Sequence, residues 1–250
     1  MSVFHIAARE LRAVFTTATG WLVLCGWLLI TGLFWVVMVQ NYAMQSRDLV
    51  FNPYAAASLG FTDFLIAPFF GNCAVVLLML TPAVTMRLFS EEFKQGTMEL
   101  LLTSPISTLQ IVLGKYLGAL GFVLVLLALT LHFPLGLARW GRPDWGVVAS
   151  GYLGLALLSS AVLALGLWFS SLTSNQLVAL VLTFTTALGL LVLGWSSQDP
   201  ADWIAQISIM SHLNDLFIGV VRLSDVVYCV AFTAFFLFAT HQRMESFRWS

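Results

Sequence analysis

Six runs of apolar residues dominate this chain: Gly20–Val39, Phe64–Met86, Ile111–Ala138, Gly146–Phe169, Leu177–Trp195 and Val226–Thr240. Lys115 is the one charged residue in them. A helix crosses the hydrocarbon core of a bilayer with about 20 apolar residues. The sixth run is short, so it is predicted to begin inside Val220–Leu223 or to meet a structured loop. Water would not accept such a chain, because only 9% of its residues are charged, against about a quarter in soluble domains. Lipid in turn demands that every backbone polar group be satisfied within the segment, which a helix does. The predicted fold class is therefore an all-α integral membrane protein with six transmembrane helices, built as a single domain over residues 1–250.

Six spans place both ends of the chain on one side. With the termini inside, the cytoplasmic basic residues are Arg9, Arg12, Arg87, Lys94, Lys115, Arg243 and Arg248, and Arg47, Arg139, Arg142 and Arg222 lie outside. That excess follows the positive-inside rule. Residues 1–19 are not followed closely by a small-residue cleavage site, so no cleavable signal peptide is predicted. Within them, Phe4, Ala7, Ala8, Leu11, Val14 and Phe15 share one helical face, while His5, Arg9, Arg12 and Thr16 repeat along the other. Such an amphipathic helix lies in the interface with Arg9 and Arg12 at the headgroups, either as an anchor or beside a partner. The net charge of −1 and the lack of a basic block argue against nucleic acid as a partner. Cys25, Cys73 and Cys229 sit singly in apolar runs and read as small hydrophobic fillers.

The densest polar stretch, "SEEFKQGTMELLLTSPIS" from Ser90 to Ser107, connects the second and third runs. Pro82 removes a backbone donor near the end of the second span and predicts a kink. Gly96 suits a helix end, since it takes a left-handed conformation without steric cost. Thr97 caps a short helix, "MELLLT", which Pro105 ends, and Ser107 with Gln110 forms a capping box for the third span. That short helix, with Leu100, Leu101 and Leu102, lies against lipid and the protein's own spans or inserts into a groove on a soluble partner. Glu91, Glu92 and Glu99 around Lys94 would supply charged contacts at the rim of such a groove.

The block "TPAVTMRLFSEEFKQGTMELLLTSPISTLQIVLGKYLG" resembles the signature region of type-2 ABC transporter permeases, most of all the gliding-motility GldF-like branch. The matching residues are Thr85, Met86, Arg87, Glu91, Glu92, Gly96, Thr97, Glu99, Leu100, Leu101, Ser104, Pro105, Ile106, Ser107, Gly114 and Lys115. "ATGWLVLCGWLLITGLFW", "SHLNDLFIGVVRLSDVVY" and "MESFRW" resemble the family's first span, its loop before the last span and its tail. Gly20–Trp21 and His212–Leu213 stand where the family more often has Gly-Tyr and His-Phe.

The resemblance implies that residues 87–110 form a cytoplasmic coupling region seated in a cleft of an ATP-hydrolysing subunit, through which ATP hydrolysis drives substrate export or mechanical signalling across the membrane. Its contact residues would be Arg87, Glu91, Glu92, Lys94, Gly96, Thr97, Glu99, Leu100, Leu101, Leu102, Ser104 and Pro105. It also implies two copies of a GldA-like ABC ATPase, a second permease copy, a GldG-like auxiliary membrane protein and a bacterial inner-membrane location. ATP and magnesium would be bound by the ATPase and no cofactor by this chain. The chain has no phosphate-cradling glycine loop: Gly114–Lys115 is followed by Tyr116 and lacks a glycine five residues before it. Lys115 reads instead as a side chain snorkelling to the interface.

An ion-coupled carrier would place Asp, Glu or His deep in its spans, and the runs hold no carboxylate. A membrane enzyme on a lipid-linked substrate would need converging catalytic groups. His212 and Asp215, three apart, could share a helical face and are the nearest to such a pair. Residues 196–225 are too apolar for a free loop and too broken for a span, and read as re-entrant half-helices or as a surface amphipathic helix. In related exporters such half-helices close the exit, which makes Trp203, His212, Asp215 and Phe217 external gate candidates. Gly114 and Gly118 form a small-residue stripe suited to close helix approach.

Overall fold

The structure, a computed structural model, describes residues 3–48, 62–98, 106–139, 141, 143–196 and 206–248. Among these residues all regular secondary structure is helical. The order is α1 (Val3–Thr16), α2 (Ala18–Asp48), a π-helical turn (Thr62–Ile66), α3 (Ala67–Thr85), α4 (Ser90–Gln95), α5 (Thr108–Thr130), α6 (His132–Leu137), α7 (Trp145–Leu172), α8 (Gln176–Ser196), α9 (Ile209–Phe217) and α10 (Leu223–Arg248). Six stretches are long and apolar enough to cross a membrane: Ala18–Arg47, Phe64–Gln95, Thr108–Leu137, Trp145–Leu172, Gln176–Gly194 and Leu223–Phe247. These are the six predicted spans, and the last starts at Leu223, so that Asp225 joins its first turn.

The spans divide into an inner and an outer set. Those built on α3, α5 and α7 are more than half buried, whereas α2, α8 and α10 show most of their apolar surface outward. The helix α7 is the hub, packing against α3, α5, α8, α9 and α10. Glycine lets α3 and α7 approach closely: a Cβ at Gly151 would meet the Phe70 ring at 2.1 Å, and one at Gly166 would meet the Thr85 hydroxyl at 2.2 Å. Several polar groups between the spans find partners there. Trp27, fully buried, donates its indole N–H to the Leu126 carbonyl at 2.9 Å. A chain of hydroxyls ties α5, α7 and α10: Tyr116 and Ser160 lie 2.6 Å apart, Ser160 and Thr233 3.1 Å, and Thr233 donates to the Cys229 carbonyl. Because Thr233 spends its proton on Cys229, Ser160 donates to Thr233 and Tyr116 to Ser160.

Helix α1 forms as predicted, and packs on the bundle through only part of its apolar face. Phe4 is 78% exposed and Ala8 is exposed, while Ile6 and Val14 are buried. The packed side is Ile6, Ala7, Glu10, Leu11, Val14 and Phe15, and it runs along α5. Virtual Cβ atoms at Gly114, Gly118 and Gly121 would meet Ile6 at 2.6 Å, Glu10 at 2.6 Å and Leu11 at 3.8 Å in turn. The two helices therefore run parallel, and the glycine stripe of the third span receives α1. The groove, rather than hydrophobicity alone, selects which side of α1 turns inward.

Candidate functional site

The site is built where α3 stops. Pro82 has no N–H to offer the carbonyl four residues back, yet α3 continues through it to Thr85, with Thr81 and Thr85 hydroxyls bonding the preceding turn. The chain then turns over Met86–Phe89 before α4 begins. Such a break orphans backbone groups that a buried site must satisfy. One side chain from α7 does so. The Ser170 hydroxyl accepts from the N–H of Phe89 at 3.0 Å and of Ser90 at 3.1 Å, and donates to the Met86 carbonyl at 3.2 Å. Ser90 also donates its hydroxyl to Met86.

Gly96 ends α4 at φ 68°, a left-handed turn. The Thr97 N–H reaches Glu92 at 3.1 Å and the Gly96 N–H reaches Phe93 at 3.3 Å, the paired bonds of a Schellman motif. Ser107 and Gln110 form the predicted capping box, each bonding the other's backbone N–H at 3.3 Å.

Charge is concentrated beneath this frame. Lys115 is 3% exposed; its ammonium lies 2.7 Å from Glu92 and 3.5 Å from Glu10, over the Phe89 ring at 5.3 Å. This overturns the snorkelling reading of Lys115. The side chain is buried, and two carboxylates from α1 and α4 give it a counter-charge inside the protein. Arg9, exposed, pairs with Glu10 at 3.2 Å. Glu92 holds one oxygen on Lys115; its other, Oε2, is buried without a partner. A cleft of about 380 Å³ opens beside the cluster, lined by Glu10, Arg87, Glu91, Glu92, Thr97 and Lys115 among others.

Of the expected coupling residues, Arg87 donates to the Thr19 hydroxyl at 2.8 Å, tying α3 to the start of α2. Glu91 accepts from Gln95 at 3.2 Å, and Lys94 and Thr97 are exposed. Arg9 and Arg12 lie on the exposed side of α1. Phe93 packs on Phe247 at 5.1 Å, and Arg243 sits over Phe247 at 4.5 Å, so the tail of α10 also meets this end. Glu99, Leu100, Leu101, Leu102, Ser104 and Pro105 lie outside the described residues, and with them the predicted short leucine helix. Sequence reasoning missed Glu10, Ser170 and the burial of Lys115. A lone lysine seven residues into a span was the available signal for the last.

At the opposite end, Trp203 lies outside the described residues. His212 and Asp215 do not pair with each other. His212 pairs with Asp225 at 2.7 Å and Asp215 with Arg222 at 2.8 Å, because α9 turns His212 toward the head of α10. Phe217 is buried and stacks on Phe70 with ring centres 6.1 Å apart. Among the described residues no three His, Cys, Asp or Glu side chains converge as metal ligands.

Residues 36–240 match the model of a family described as "ABC-2 family transporter protein". The chain is 25% identical over 194 residues to the probable multidrug ABC transporter permease YbhR of Escherichia coli strain K12, and equally to that of Escherichia coli O157:H7. Each match covers 72% of this chain and 51% of the relative. The chain thus spans about half the length of the curated relatives it matches.

Proposed function

Because this chain belongs to the ABC-2 family of transporter proteins, we propose that it is the membrane subunit of an ATP-driven exporter whose ATPase is a separate chain. Two permeases with two ATPases form the assembly, in a bacterial inner membrane with both termini cytoplasmic, and the chain falls in the GldF-like branch with its auxiliary subunit. The multidrug designation belongs to the longer Escherichia coli relatives.

The observation that carries this reading is the joining of α1, α4 and α5 at Lys115. A span that stops, turns and restarts as a six-residue helix is a poor loop but a good lever. Glu92 ties that lever to α5 through a buried ion pair, Ser170 ties its root to α7, and Glu10 adds α1 to the same lysine. Closure of the ATPases on ATP would displace residues 99–105, and the rigid connections would pass the shift into α5 and α7, changing access between two states. In this reading Arg87, Glu91, Lys94, Gly96 and Thr97 form the root of the docking element, and Leu100, Leu101 and Leu102 its inserted face.

The test is a mild-detergent pull-down of the tagged chain, comparing wild type with a Leu100→Asp, Leu101→Asp, Leu102→Asp variant by mass spectrometry. An ABC ATPase should accompany wild type and be lost from the correctly inserted variant. Absence of any ATPase from both samples, under conditions that preserve other membrane complexes, would return the chain to the stand-alone carrier or enzyme class.

A further inference from the structure

At the end of the bundle away from α4, one imidazole has acceptors on both sides. His212 Nδ1 lies 2.7 Å from Asp225 Oδ1, and Nε2 lies 3.1 Å from the Gln206 carbonyl. A carboxylate and a carbonyl can only accept. Both contacts are satisfied at once when each ring nitrogen carries a proton, or when the proton between Nδ1 and Asp225 rests on the carboxylate. In either case the pair holds one proton more than a neutral imidazole beside a carboxylate. Asp225 is 5% exposed, its Oδ2 has no partner, and the Ser224 hydroxyl reaches Oδ1 at 3.4 Å. Tyr228 stacks on the His212 ring at 4.2 Å and donates its hydroxyl to the Ile207 carbonyl at 2.5 Å, a placement that favours a cation against its face.

We propose that His212 is the positioning residue of this end. With the extra proton, the His212–Asp225 pair clasps residues 206–217 to the head of α10; without it, the pair releases them. Loss of the proton puts a lone pair against either the Asp225 carboxylate or the Gln206 carbonyl, and leaves a buried carboxylate without its counter-charge. The contact is therefore strongest at low pH and weakens at rising pH, where the pair gives up its extra proton. No other titratable neighbour does this work. Asp215 is neutralised by Arg222 at 2.8 Å. Of the helices packed on α9, α7 carries Tyr152, which bonds Thr130, and α8 carries no titratable residue. Helix α3 contributes Cys73, and α10 contributes Tyr228 and Cys229 beside Asp225. The clasp goes beyond the export reading; its service as an exit gate rests on that reading, whereas its existence does not.

Amide hydrogen exchange on the full chain in lipid nanodiscs tests it, with rates corrected for intrinsic exchange from about pH 5 to about pH 9. In wild type, protection of peptides covering 206–217 should fall about ten-fold toward the upper end, while α5 and α7 hold theirs. In His212→Gln protection should sit at the low level across the whole range, and Asp225→Asn should give the same result through the other member of the pair. Protection independent of pH in wild type, or an unchanged pH profile in His212→Gln, would overturn the proposal. The experiment uses no ATP and no second subunit, so its failure leaves the export reading standing.

Discussion

At one end of the bundle a half-buried carboxylate, Glu92, faces the buried Lys115; at the other, Asp225 faces His212. Each carboxylate has one oxygen on its cation and one, Oε2 or Oδ2, buried without a partner. The cations differ in kind. An ammonium keeps its charge throughout the physiological range, whereas an imidazole does not. They differ in reach as well: Lys115 joins α1, α4 and α5, while His212 joins only α9 and its lead-in to α10. A permanent charge under three elements makes a strut, and a conditional one between two makes a catch. On the proposed reading, the end facing the ATPase would transmit displacement and the far end would yield.

The sharpest way to break this contrast is Lys115→Met. It strands Glu92 and Glu10, and unfolding in detergent should show a loss of about 3–5 kcal/mol; a loss under about 1 kcal/mol would mean the strut is ornamental. Lys115→His sharpens the comparison, since stability at the α4 end should then hold at low pH and decline as pH rises, as it does not in wild type. Next in size is Gly118→Val, which drives a side chain into Glu10 and Ala7 and should cost about 3 kcal/mol. Limited proteolysis would report it as cleavage within α1, and an unchanged digest would refute the docking of α1 on α5. Ser170→Ala removes the partner of two N–H groups and should cost about 2 kcal/mol, seen as faster exchange at Phe89 and Ser90 with the far end unaffected. Tyr116→Phe is the smallest, about 1 kcal/mol, because only the first link of the hydroxyl chain is lost. Equal stability for Tyr116→Phe and wild type would show that Ser160 finds another donor.

What the sequence disclosed divides along the same physical line. The spans, the Gly96 turn and the Ser107–Gln110 capping box depend on neighbours within a few residues, and each stands where local rules put it. Lys115 was misread because its partners lie 23 residues back on α4 and 105 back on α1, distances at which periodicity carries no signal. Ser170 is one serine among several at the end of a span, and nothing marks it until the break at Met86–Phe89 is folded beside it. His212 was paired with the carboxylate nearest in sequence, while the fold brought it to Asp225. Which part of the apolar face of α1 packs inward was not legible for a related reason: amphipathicity names the polar side well, but the complementary groove fixes the rotation. The leucine helix at 100–102 and Trp203 fall outside the described residues, so the docking surface itself rests on sequence resemblance.

The pairing of α1 with α5 also sets an order of events during synthesis. Glu10 is made 105 residues before Lys115, which at ribosomal rates of about 5–20 residues per second is a wait of roughly 5–20 s. Through that interval the helix has neither its glycine groove nor Lys115, and Glu10 has only its neighbour Arg9 as a counter-charge. Docking of α1 thus waits on the third span: it requires that span to be in place with Gly114 and Gly118 turned toward Ile6 and Glu10.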